Sequence, residues 1–142
     1  MTLSDLIQEQ SRKARIVEDC TKLIDQQVAA KGGISGFALK AAYGVVKGID
    51  ASYIAGAISR LLPEMLHALN PLWMEGIQAG NPVDHLVQQR SRTADAILAV
   101  TDARAKNANG IVRSSYGKLR QSVKGDVEAA IPGLAEILGK HL

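Results

Sequence analysis

Residues Ile34–Glu75 read ISGFALKAAYGVVKGIDASYIAGAISRLLPEMLHALNPLWME. Four of the five aromatic side chains of the chain lie in this stretch: Phe37, Tyr43, Tyr53 and Trp73. Its apolar residues recur at helical spacing, with no strand-like alternation. Its load of Gly and Ala lets neighbouring helices approach closely. The core is therefore expected to be organised here, in an all-α fold.

Working outward on the N-terminal side, Gly32-Gly33 ends a helix that begins near Ala14. In that helix Ile16, Cys20 and Leu23 form one row, and Val17, Ile24 and Val28 the next. Together they make a face broader than a coiled-coil seam, as on a helix packed against a globular core. Before it, Ser4 can cap a short turn carrying Leu3, Leu6 and Ile7. Residues 1–13 are expected as a loosely packed N-terminal turn.

Within the central stretch, Ser35 is placed as the cap of a helix over about Gly36 to Gly48. The apolar face assigned to it is Phe37, Ala38, Ala41, Val45 and Ile49. Gly44 and Gly48 make a GxxxG spacing on its edge, read as close helix–helix approach. Asp50 or Ser52 opens a third helix, which Pro63 ends or kinks. Asn70-Pro71 and Asn81-Pro82 then look like further helix starts.

On the C-terminal side, one regular helix is expected from Pro82 to about Ala108, with Val83, Val87, Ala94, Ile97 and Leu98 on its inner face. That register also puts Arg90 in the apolar face, to snorkel or to meet a buried acid. Asn109-Gly110 breaks or hinges it. A further helix carries Val112, Tyr116, Leu119, Val123 and Val127, and a last one follows Pro132-Gly133. The expected architecture is one helical domain over residues 1–142, a bundle of about six or seven helices.

The whole-chain quantities agree. A chain of 142 residues is one domain by length and buries roughly two-thirds of its unfolded surface. It is 46% hydrophobic and 22% charged, ordinary for a globular protein. Its single cysteine, Cys20, excludes an internal disulfide and fits a reducing compartment. No signal-peptide pattern follows Met1, and no apolar run is long enough to span a bilayer. A cytoplasmic protein with no membrane association is expected. The net charge of +3 permits an acidic partner without requiring one.

Three constellations could carry chemistry. Glu64 and His67 form a Glu-x-x-His pair on one helical face, as in carboxylate-bridged di-metal bundles. Those sites need a second such pair, and neither His85 nor His141 follows a Glu at that spacing, so no metal and no cofactor is expected. Asp84, Asp95 and Asp102 line one helix. Asp95 and Asp102 lie about 10 Å apart along its axis, loose for a catalytic pair. Asp84 suits the third position after an Asn81 cap. Third, Arg113, Arg120 and Lys124 fall in a narrow stripe that can track phosphates. No stacking aromatic accompanies it, and a solvated face, or one salt-bridged to Asp84, Asp95 and Asp102, is the simpler reading. Cys20 lies in an apolar row and reads as core. Tyr43 reads as surface, between Lys40 and Lys47.

The blocks ISGFALKAAYGVVKGI (34–49), RLLPEMLHALNPLW (60–73), ADAILAVTDARA (94–105) and SYGKLRQSVKGDVEAAIPGLAEIL (115–138) together resemble a bacterial family of small uncharacterised helical proteins, a domain of unknown function. The resemblance covers about Cys20 to the end. It implies a helical fold and a bacterial, cytoplasmic setting, and transfers no active site.

The sequence does not state what the protein does. The preferred expectation is a non-catalytic interaction protein that self-associates into a homo-oligomer through small-residue helix faces. An alternative is a small-molecule binder or enzyme with a pocket near residues 43–73, formed by Tyr43, Tyr53, Glu64, His67 and Trp73. Nucleic-acid binding through Arg113, Arg120 and Lys124 is a second, weaker alternative.

Overall fold

The computed structural model describes residues 3–49, 52–108 and 110–141, except for the side chains at positions 34, 35, 38, 42, 46, 47, 49, 115, 119, 121 and 122. Over these residues run a 3-10 turn, Leu3–Ile7, and six α-helices: α1 (Gln10–Ala30), α2 (Gly33–Ile49), α3 (Tyr53–Ala79), α4 (Pro82–Gln88), α5 (Arg90–Ala105) and α6 (Gly110–Lys140). No strand occurs among them. The expected all-α bundle is the observed fold. The expected Ser35 cap, the Ala38, Ile49 and Leu119 side chains, and the Asp50 and Asn109 signals lie outside the described residues.

Helix α3 is the spine. It touches the N-terminal turn and α1, α2, α4 and α5. It is one continuous helix through Pro63 and Pro71, although an end at Pro63 and a new start at Asn70-Pro71 are among the expectations. The reason is facial. Leu62, Leu66, Leu69, Trp73 and Gly76 alternate at spacings of four and three and are buried, whereas both prolines are exposed. Each proline removes one ladder bond, but on the outer face water can replace it, and a long helix already curves convex towards solvent. Asn70 is not a cap: its side-chain oxygen accepts the Leu3 amide at 3.1 Å. That bond ties down the N-terminal turn, whose Leu3 and Leu6 have no exposed surface, so it is packed tightly and not loosely. Helix α6 likewise passes through Pro132, which is exposed beside buried Ile131, Leu134, Ala135 and Leu138.

The single helix expected over Pro82–Ala108 is two helices. Gln89 breaks it at φ −98°, ψ 33°. Fully buried Thr93 stabilises the break, donating its hydroxyl to the Leu86 carbonyl at 3.2 Å and the Gln89 carbonyl at 2.9 Å. The change of direction leaves Arg90 exposed, not in the apolar face. The start of α4 is as expected: Asn81 accepts the Asp84 amide at 3.2 Å, and Asp84 accepts the Asn81 side-chain amide at 3.0 Å.

Helix α2 faces the other way from the expectation. Phe37 is 77% and Val45 53% exposed. Ala41, Gly44 and Gly48 are exposed on the same side, and a Cβ on either glycine would meet nothing within 4 Å. Close approach occurs elsewhere. A Cβ on Gly76 would lie 2.5 Å from the Pro82 Cα, and one on Gly133 would lie 2.6 Å from Leu23 Cδ1. The core accordingly sits between the second half of α3, α1, α4, α5 and the end of α6, with Trp73 and Leu66 at its centre. Each such leucine is worth ~1.5–3 kcal/mol on burial. The Ile34–Ile49 half of the central stretch is peripheral to it.

Candidate functional site

Interiors of this kind normally pack with few voids larger than a water molecule. Here a cavity of about 520 Å³ lies among α1, α2, α3, α5 and α6. Its walls are hydrocarbon: Leu23, Ile24 and Val28 from α1, Leu39 from α2, Ile58, Leu61 and Met65 from α3, Ile97 from α5, and Val123 and Val127 from α6. The space has a local origin. Helix α6 presses on α1 at Gly133, but the turn before carries Ala129 and Ala130, whose small side chains leave room. The cavity is partly open to solvent, and its apolar walls stay in contact with water unless something covers them.

Few polar groups reach it. Lys31 and Asp126 form an ion pair on its wall, each side chain 23% exposed. Cys20 also lines it, and burial, with Asp19 beside it, pushes the thiol up to about 11. Thr101 lies at the far side from α1, on α5.

Thr101 and Leu61 also line a second cleft of about 390 Å³, which faces outward between α3, α5 and the start of α6. In this vestibule the side chains of Tyr53, Arg60, Arg104, Asn107 and Tyr116 stand among Ala57, Leu61, Ala105, Ala108 and Val112. Most of these groups are engaged. The Arg104 guanidinium donates to both carboxylate oxygens of Glu64, which raises its pKa. Tyr116 donates to Asp102, and its hydroxyl lies 2.8 Å from that of Thr101. Burial and then Asp102 raise the Tyr116 pKa. Asp102 in turn accepts from Arg120 at 2.7 and 3.0 Å, and the bonds from Arg120 and Tyr116 hold its carboxyl below the usual range. Arg60 differs. Its guanidinium carbon stands 6.0 Å from the centre of the Tyr53 ring, and no carboxylate pairs with it among the described residues.

The five residues expected to share a pocket do not converge. Trp73 is core, 1% exposed. Tyr43 donates to Asp25 of α1, and burial and that bond raise its pKa. His67 is exposed on the outer face of α3. Glu64 reaches the vestibule only through Arg104, and Tyr53 alone lines it. In the basic stripe, Arg120 is held by Asp102 and Lys124 by Asp95 at 3.0 Å, while Arg113 is exposed. Among the described residues no three His, Cys, Asp or Glu come together as a metal site, and no helix is long and apolar enough to cross a membrane. Sequence reasoning did not place Arg60, Leu61 or Thr101 in a pocket. A signal existed: Tyr53, Ala57, Arg60 and Leu61 fall at i, i+4, i+7 and i+8, one stripe of a helix.

The chain belongs to a family of unknown function (DUF6918), whose sequence model matches residues 3–142. No curated protein and no solved structure matches it.

Proposed function

We propose that the protein is a non-catalytic binder of an apolar small molecule, held in the cavity among α1, α2, α3, α5 and α6. The carrying observation is the cavity itself. Its volume of about 520 Å³ is that of ordinary ligand sites, which are mostly apolar with a few polar groups. Its lining does not favour catalysis. The Cys20 thiol stays protonated at neutral pH, and Asp126 is engaged by Lys31. This is the small-molecule alternative with its pocket moved: Ile58, Leu61 and Met65 line it, not Tyr43, Glu64 or His67. The neutral dye Nile red should bind saturably, one per chain, and Ala130→Leu should abolish that binding by filling the space. Nile red bound equally well by Ala130→Leu, or not at all by either protein, would contradict the reading.

A second reading concerns α2. Its outer side shows Phe37 and Val45 beside Ala41, Gly44 and Gly48, a surface that favours a second copy of the chain. Sedimentation equilibrium should give a homo-oligomer that Phe37→Ser dissociates. A monomer at every concentration would remove this reading. Nucleic-acid binding is weakened by the carboxylate partners of Arg120 and Lys124.

A further inference from the structure

We infer that the ligand is a long-chain carboxylate, with its head group at Arg60 in the vestibule and its hydrocarbon chain in the cavity; this rests on the cavity being a binding site. Two observations meet here. First, Leu61 and Thr101 belong to the walls of both spaces, so the vestibule and the hydrocarbon cavity adjoin. Leu61 is half-buried on that shared wall. Second, the vestibule has one charge left over. Arg104 is matched by Glu64 and Arg120 by Asp102, while Arg60 has the Tyr53 ring and no carboxylate among the described residues. A guanidinium presents a planar fork of donors, and a carboxylate is its geometric complement. The charge left over is that of one guanidinium, and a fatty carboxylate brings one negative charge.

The other polar feature of the cavity does not compete. Lys31 and Asp126 cancel each other, so a carboxylate placed there would displace Asp126 for no gain in charge. A neutral lipid would fill the hydrocarbon space equally well but would leave Arg60 without a partner.

The test compares palmitate with hexadecanol, which has the same chain and no charge, by calorimetric titration of delipidated full-length protein. Palmitate should bind about two- to fivefold more tightly, the effect of an ion pair to an exposed guanidinium. Arg60→Gln should erase that preference. Arg60 is exposed, so the variant keeps the core intact. Equal affinities in the unmodified protein would overturn the head-group assignment while leaving the cavity reading in place. A preference that survives Arg60→Gln would also overturn it. Binding of neither compound would overturn the assignment and the proposed function together.

Discussion

Arg120 of α6 clasps Asp102 of α5 with two hydrogen bonds of 2.7 and 3.0 Å, and Tyr116 donates to the same carboxylate. One acid thus joins the two helices behind the vestibule. Its bonds depress the Asp102 pKa in the folded chain. The stabilisation is present above the unfolded pKa, near 3.8, and is lost as pH falls through the lower folded value. Tyr116 is the reverse case. Its pKa is raised, so its contribution holds below the unfolded pKa and is lost as pH rises through the folded one. Asp102→Asn should lower the Tm slightly at neutral pH, the effect shrinking in acid. A Tm difference independent of pH would show that the carboxylate charge is not responsible.

Thr93 should be indispensable to the α4–α5 corner. Its hydroxyl serves two carbonyls at the break, and the side chain is fully buried. Thr93→Val keeps the shape and removes the donor, which should cost ~1–3 kcal/mol. Chemical denaturation would measure it. A loss within experimental error would mean that the break does not need the hydroxyl.

Two glycines should respond in opposite senses. Gly76→Ala drives a methyl group to 2.5 Å from the Pro82 Cα, a backbone atom that cannot rotate away, and overpacking of this kind costs ~1–3 kcal/mol. Gly44→Ala meets nothing within 4 Å and should stabilise α2 by up to ~1 kcal/mol through helix propensity. Melting temperatures should fall for the first and rise for the second. The reverse order would contradict the packing described for α3 against α4.

What was legible in the sequence was local. Asn81, Pro82 and Asp84 announce a helix start because the cap and its acceptor lie within one turn. The apolar row of α1 announces Ile16 and Cys20 as core. The punctuation failed where a local rule met a facial one: Pro63, Pro71 and Pro132 stop a helix only if their missing bonds cannot go to water, and all three are exposed. Periodicity identified an apolar side on α2 but not its direction, so Phe37 and Val45 were placed inward. The cavity was beyond reach for a different reason. It arises from what Ala129 and Ala130 do not fill, and no list of reactive residues contains an absence of side chain. Of the vestibule, Tyr53 alone is read from the sequence as a pocket residue, because Arg60 acquires meaning from the pairing of every neighbouring charge.

Filling the cavity should separate stability from binding. Ala130→Leu places hydrocarbon in the space lined by Leu23, Ile58 and Val127. Cavity-filling changes commonly add ~0.5–2 kcal/mol, so the delipidated variant should melt higher than the delipidated parent. A lower Tm would mean that this part of the wall is already closely packed.

The most direct measurement is native mass spectrometry of untagged protein purified gently from its own source, with organic extraction of the same sample. An apolar ligand in the cavity predicts a reproducible added mass, recovered in the organic phase and absent from Ala130→Leu. A bare chain mass with nothing extractable, in protein whose Tm no long-chain carboxylate or alcohol raises, would contradict the account.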